Sequence, residues 1–536
     1  MSVACCSGGM RLRQWGNRIG ALLTACAVFS AMLCSCMPAP QGPQDEGPTT
    51  LPVLPTAPQN QQAKDTLTLP FANRDVLNPY AAVTELNQGL SPLLYEGLFA
   101  CDARYEAQPV LAAGIEQVNP TLWTIALRED RVFHNGSPVT MDDVLYSFGK
   151  ARASAYYKTR LENISNLRVK DGALEMTLRR ANQYTAACLD FPVVPAGSAE
   201  KGRLPQAKNG LLFTKASTPP GTGRYQLANR DGAFVLEYDS RHPGPPPRLT
   251  TIALYGVNND KALLYGLEMG SYQFAYDNLS AGEAPRVNAG AARVPTTNLL
   301  YLGFNSGRAG LQDPALRGAL AACVNKTAVL SDAWHGYADA TDTPFPQAWH
   351  GVHPEDFARP YDAAAARKGL EDLGYNMLRD GLRASKYRKL SFTLLTLKSG
   401  PKRAAAKAVQ SQLKAFQIEV ILKALPKADY LAAVRAGAFD LYVGEIRLTP
   451  DLNLSPLLMS GGAASKGVQV WGKASSAYGQ LLQGLIPPAK FVSIFLEDLP
   501  FLPLGYRYGM AASARSLKTV GMRQGDLFAG ICEWEV

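Results

Sequence analysis

From residue 298 onward short apolar runs alternate with amphipathic ones, and this alternation constrains the fold more than any other feature of the chain. Residues 299–304 read as a strand; Asp313 and Pro314 then supply the N-cap and first-turn proline of a helix with Leu316, Leu320 and Val324 on one face. Tyr361 and Asp362 open a second helix, which carries Leu370 and Leu373 and stops at Gly374. Strands are predicted at 392–397, 418–422 and 439–443, with helices at 404–416 and 430–435 between them. This order predicts an α/β fold whose sheet is mostly parallel and covered by helices.

The last of these strands leads into AFDLYVGEIRLTPDLNLSPLLMSGG, residues 438–462. Gly444 breaks the apolar run and permits close backbone approach. Beyond it come Glu445, Arg447 and a loop with Pro450, Asn453 and two helix-start residues, Asp451 and Ser455. Proteins of this class place ligands where strand ends pass into loops. The stretch is therefore expected to line a closing binding cleft.

The first half reads differently. A strand is predicted at 67–69, alternating strands at 122–127 and 174–178, and further strands at 234–238 and 251–255. Thr140 and Asp143 form a capping box for a helix that turns Val144, Leu145 and Phe148 inward. Asn135-Gly136 signals a tight turn. His134 has no nucleophile or metal partner spaced with it, so its expected role is structural.

At 536 residues the chain needs two or three domains, and 47 % apolar with 18 % charged residues suits a globular protein. Formal net charge is +9, and Arg11, Arg13 and Arg18 lie in a segment expected to be removed, which leaves +6. No basic run with interleaved aromatics accompanies it, which argues against nucleic acid as a partner. Those arginines precede an apolar run at 19–33 that is short for a bilayer span but suits a secretion signal. Leu33-Cys34-Ser35-Cys36 then resembles a bacterial lipobox, giving a lipoprotein signal peptide at 1–36 with Cys36 lipidated. The rival Cys26 leaves too short an apolar core, an uncleaved anchor would give nearly the same topology, and Met10 is an alternative start. Residues 37–64 are rich in Pro, Gln, Gly and Thr and read as a disordered tether. Cys101, Cys188, Cys323 and Cys532 remain in the body, without metal-ligand spacing; isolated thiols are the expectation, with a disulfide left open.

Catalytic signatures are lacking: no HExxH, GxSxG or catalytic-cysteine pattern occurs. Residues 467–474 miss a P-loop by its Ser/Thr, and Trp471 stands where a glycine-rich phosphate cradle would be. His350 and His353 are followed by Pro354 and share no helix face, so a polar loop and no metal site is expected. Gly221-Thr222-Gly223 is weak as a dinucleotide signal because no apolar helix follows.

Taken in order, LYEGL (94–98), FHNGSPVTMDDVLYSF (133–148), GTGRY (221–225), YLGFN (301–305), DPALRGALAACVNKTAVL (313–330), residues 361–375 and FLEDLPFLPLGYRY (495–508) resemble the bacterial extracellular solute-binding family of dipeptide- and oligopeptide-binding lipoproteins of ABC importers. The resemblance covers nearly all of the mature length. It implies a two-lobed periplasmic-binding-protein-like clamp with an additional α+β domain inserted in the first lobe, and no enzymatic activity or cofactor. Lobe I would combine 65–100, 216–296 and 506–536, the inserted domain 101–215 and lobe II 297–505. Its implied partners are a short peptide, the permease and ATPase subunits, and the membrane through a lipid anchor; it would be an exported monomer facing the extracellular or periplasmic side. The same architecture would serve a carrier of a metal chelate, modified peptide or sugar, or a peptide sensor not coupled to import.

By that resemblance the peptide would lie along two extended edges, one at 83–87 with Thr84, Glu85 and Asn87, the other Gly444, Glu445, Ile446 and Arg447. Tyr156 or Tyr157, and Tyr506 or Tyr508, would wall the pocket. Arg447 and Lys398 are candidates for a ligand carboxylate. Family members usually carry a Trp after the strand glycine and then an Asp that pairs with the peptide's amine; here those positions hold Glu445 and Leu448. Either Glu445 or Asp451 takes the amine, or the ligand has no amine anchor.

Overall fold

The computed structural model describes residues 66–199, 218–258, 263–280, 282, 284–308, 310–346, 349–467, 472–523 and 525–536. The expected signal peptide, Cys36 with its rival Cys26, the tether and residues 468–471 of the P-loop-like run lie outside these residues.

Strand Thr66–Ala72 pairs in parallel with Thr251–Val257, which runs antiparallel to Ala233–Tyr238, itself paired with Tyr225–Arg230. Leu67, Leu69, Leu236 and Ile252 bury one face of this sheet in a core shared with Leu90 and Leu94 of helix Glu85–Leu94. Between these strands in sequence comes a separate sheet, ordered Ala112–Asn119, Leu122–Leu127, Ala173–Leu178, Ile164–Lys170. Helix Met141–Ala153 packs on it through Val144 and Phe148, and the expected Thr140–Asp143 capping box is formed.

The largest sheet orders Phe274–Asp277, Phe501–Ser513, Gly290–Phe304, Leu441–Arg447, Ser391–Leu397 and Glu419–Leu425. Its two long strands, Gly290–Phe304 and Phe501–Ser513, explain the two-lobed clamp. At one end Val294 and Ala511 join the core of Leu69 and Ile252; at the other, Leu299 and Leu504 join the core under helices Pro314–Ala322 and Pro401–Lys414. The ladder between these strands shifts register between Val294 and Asn298, so regular pairing lapses where the chain passes from one core to the other.

Four expectations need correction. The sheet is mixed: Ser391–Leu397 pairs in parallel with Glu419–Leu425 and Leu441–Arg447, but the latter is antiparallel to Gly290–Phe304. Strands that pass between lobes return without a crossover helix, so they pair antiparallel. Gly444 does not end its strand, which runs Leu441–Arg447. A Cβ at Gly444 would stand 2.2 Å from the ring of Tyr301, its cross-strand partner, so glycine here makes room for that ring. Residues 83–87 form no extended edge: Thr84 caps helix Glu85–Leu94 and donates its hydroxyl to Asp75 Oδ2 at 2.6 Å. Asp451 opens no helix either; the next one is Ser455–Leu458.

Cys101, Cys188, Cys323 and Cys532 carry no disulfide, and burial pushes the thiols of Cys101 and Cys323 up to about 12. Among the described residues no helix is long and apolar enough to cross a membrane.

Candidate functional site

A cavity of about 560 Å³ opens where the end of helix Glu85–Leu94, the inserted unit, the loop after Leu441–Arg447 and the C-terminal tail converge. Small-ligand sites span roughly 300–1,000 Å³, and this one falls inside that range.

Two tyrosines build one wall. Tyr156 and Tyr157 meet edge to face at 4.9 Å, and Tyr157 is braced by Tyr80 at 5.9 Å. The Arg160 guanidinium sits 5.2 Å from the Tyr156 ring and 4.9 Å from that of Tyr157, and is ion-paired with Asp190. Burial opposes its charge, but Asp190 and the tyrosines outweigh that and raise its pKa. Arg447 reaches Tyr156 from the second lobe, 5.8 Å from the ring centre. Among the described residues Arg447 has no ion-pair partner, which leaves its guanidinium free for a ligand carboxylate.

Another part of the lining depends on close backbone crossings. Helix Glu85–Leu94 ends as Gly223 N–H donates to Leu94 C=O at 3.0 Å; a Cβ on Gly221 would come within 1.8 Å of that oxygen. Gly97 likewise packs on the Asp190 backbone, where a Cβ would fall at 2.7 Å. Glu96 is held between these crossings, with Oε1 3.1 Å from His242 Nε2. His134 secures the same corner: Gly221 N–H donates to Nδ1 at 3.2 Å and Nε2 lies 2.8 Å from Gly223 C=O. Those two bonds require the neutral ring with its proton on Nε2, and burial lowers the His134 pKa. Its structural reading thus acquires partners. The tail adds Arg523 and Asp526, 3.7 Å apart; burial pushes the Asp526 carboxyl up, with Arg523 opposing.

Of the residues expected at the site, Tyr156, Tyr157 and Arg447 line this cavity. Thr84, Glu85 and Asn87 do not; Glu85 receives Asn278 Nδ2, and buried Asn87 bridges Ala72 and Val76. Glu445 is taken by Arg507 Nε at 2.7 Å and Lys402 Nζ at 3.0 Å. Burial would raise its carboxyl, but these two cations outweigh that and hold it below the ordinary range. Gly444 and Ile446 pair within the sheet, opposite Tyr301 and Leu299. Asp451 is buried, accepting from Asn182 Nδ2 at 2.7 Å and Thr449 Oγ1 at 2.5 Å, and burial raises its pKa. Tyr506 donates to Pro344 C=O and Tyr508 to Asp339, each at 2.8 Å, while Lys398 is exposed at a strand end. Leu448, only 3 % exposed, does line the cavity. Sequence reasoning missed Glu96, Arg160, Asp190, His242, Arg523 and Asp526 as a group; only the LYEGL motif pointed at one of them.

A family model for the bacterial extracellular solute-binding proteins, family 5 (middle region), matches residues 106–465, more than half of the chain. The chain belongs to this family. Members of family 5 are bacterial extracellular solute-binding proteins. The glutathione-binding protein GsiB of Salmonella typhi is 27 % identical over 325 residues, 58 % of this chain and 62 % of its own length. The chain thus matches less than two thirds of the length of its curated relatives. Among solved structures, the unliganded open form of the periplasmic murein tripeptide-binding protein MppA aligns at TM-score 0.68 and 18 % identity, over 88 % of this chain and 97 % of that one. A nickel ABC transporter protein from Bacillus halodurans aligns at TM-score 0.70 and 18 % identity, over 88 % and 100 %. At such identities the likeness establishes the two-lobed fold alone.

Proposed function

We propose that this family 5 protein is the capture subunit of an ABC importer, which closes on a short peptide or peptide-like solute and hands it to a membrane permease. The observation that carries this reading is the cavity wall of Tyr156, flanked by Arg160 and Arg447. The aromatic face covers apolar ligand surface while Arg447 offers a bidentate partner to a carboxylate. Four arginines line the cavity against three carboxylates, which favours a ligand with more acidic than basic groups. Relatives named for glutathione and a structural neighbour named for a murein tripeptide support the same class. The proposed frame is lobe I from 65–100, 216–296 and 506–536, an inserted domain at 101–215 and lobe II at 297–505, tethered through a lipid on Cys36. Separate buried cores at 98–193 and 299–504 support that frame, with Val194 and Ala199 joining the core of Leu69 and Ile252.

Thermal unfolding with di- to pentapeptides, glutathione and a nickel–histidine chelate tests it. A ligand that binds only the folded state adds about 2.7 kcal/mol at a hundredfold excess over its Kd. Peptides are expected to raise Tm, and Arg447→Ala to weaken that gain about tenfold or more in affinity. A shift with the nickel chelate and none with peptides would overturn the reading.

A further inference from the structure

The cavity also shows where a ligand's ammonium group would go, an inference that rests on the peptide reading. Glu445 already faces two cations, and Asp451 is turned away from the cavity into its contact with Asn182. Leu448 places a hydrocarbon on that side of the cavity. The wall that carries Arg447 therefore has no carboxylate to spare.

Two carboxylates elsewhere in the lining are available. Glu96 and Asp190 both line the cavity, and in each one carboxylate oxygen, Glu96 Oε2 and Asp190 Oδ1, is shielded from solvent with no hydrogen-bond partner among the described residues. Native proteins leave few buried polar atoms unpaired, because each costs about 1–3 kcal/mol. The second oxygen of Asp190 is already matched to Arg160, whereas among the described residues Glu96 pairs with the imidazole of His242 alone. Glu96 thus keeps the less neutralised charge, on a backbone fixed by the packing of Gly97 on Asp190 and the Val193 N–H bond to Glu96 C=O at 2.9 Å.

We propose that Glu96, supported by Asp190, receives the ligand's free amine in lobe I while Arg447 receives a carboxylate from lobe II. A zwitterion then bridges the two jaws, and its two charges select the direction in which it lies. The residue that accepts the amine acts directly on the ligand, so its loss is read in ligand preference and not only in stability.

Calorimetric titration of the full protein with trialanine, N-acetyl-trialanine and trialanine amide tests this. N-acetylation is expected to weaken wild-type binding about tenfold or more. Glu96→Gln, which keeps a hydrogen bond to His242, is expected to weaken trialanine by a similar factor and leave N-acetyl-trialanine within about twofold. Equal wild-type affinity for the free and acetylated peptides would overturn the proposal, as would an undiminished preference for the free amine in Glu96→Gln. If that variant fails to fold by circular dichroism, Asp190→Asn and the wild-type comparison decide in its place, on the same criterion. Absence of binding by all three peptides would remove the peptide reading and this inference together, an outcome distinct from binding without amine preference.

Discussion

His134 shows how a residue with catalytic chemistry is put to structural use. Both ring nitrogens are committed to the backbone of Gly221 and Gly223, which joins the FHNG turn to the GTG loop and holds that loop on the carbonyl end of helix Glu85–Leu94. His134→Ala leaves buried backbone groups unpaired and is expected to cost about 1–3 kcal/mol in urea unfolding. Because burial lowers the folded-state pKa, the unfolded chain binds the proton more readily. The neutral ring's contribution is complete above the ordinary histidine value and is lost as pH falls through the folded one. The penalty for His134→Ala should therefore be larger at about pH 7.5 than at about pH 5.5; a penalty that grows on acidification would refute the neutral tautomer.

At the scale of elements, the strand Leu441–Arg447 and its loop divide their charged groups between tying elements together and lining the cavity. Glu445 ties this strand to Phe501–Ser513 through Arg507 and to helix Pro401–Lys414 through Lys402. Asp451 ties the following loop to the inserted unit through Asn182, beside the Gln183 N–H bond to Leu482 C=O at 2.9 Å. The two carboxylates are opposed in sign. Cations hold Glu445 ionised, whereas burial raises the Asp451 pKa, so that its contribution is fully present below its ordinary value and lost as pH rises through the folded one. Asp451→Asn keeps an acceptor for Asn182, and its amide can donate to the Thr449 hydroxyl where the carboxylate accepted from it, without the buried charge. It is expected to raise Tm at about pH 8, with the gain shrinking toward zero at about pH 4; a loss of Tm at the higher pH would show that the ionised form is what the contact needs.

For the molecule as a whole, much of the architecture was legible before any coordinates. The Asp313 and Asp362 caps, the Thr140–Asp143 box and the strands at 122–127 and 392–397 fell where local chemistry placed them, because caps and apolar periodicity are written within a few residues. What local chemistry could not show is pairing. Gly444 looks like a strand end until Tyr301 is set opposite it, and the extended edge that the resemblance implied at 83–87 gives way to a helix cap once Asp75 accepts from Thr84. The cavity has the same character. Tyr156, Tyr157 and Arg447 could be named from motif position, but Glu96, Asp190, Arg523 and Asp526 come together only when the helix end, the inserted unit and the C-terminal tail converge. No spacing in the sequence records that meeting.

The central claim is that this cavity holds a short peptide between the lobes. Native mass spectrometry of the purified protein, after incubation with a mixed pool of di- to pentapeptides and removal of excess, tests it most directly. The account predicts one added mass per chain, released on denaturation as a peptide with a free amine and a net negative charge, and lost in the Glu96→Gln, Arg447→Ala double variant. A protein that emerges from the pool with no peptide bound, or one whose peptide stays bound in the double variant, would contradict it.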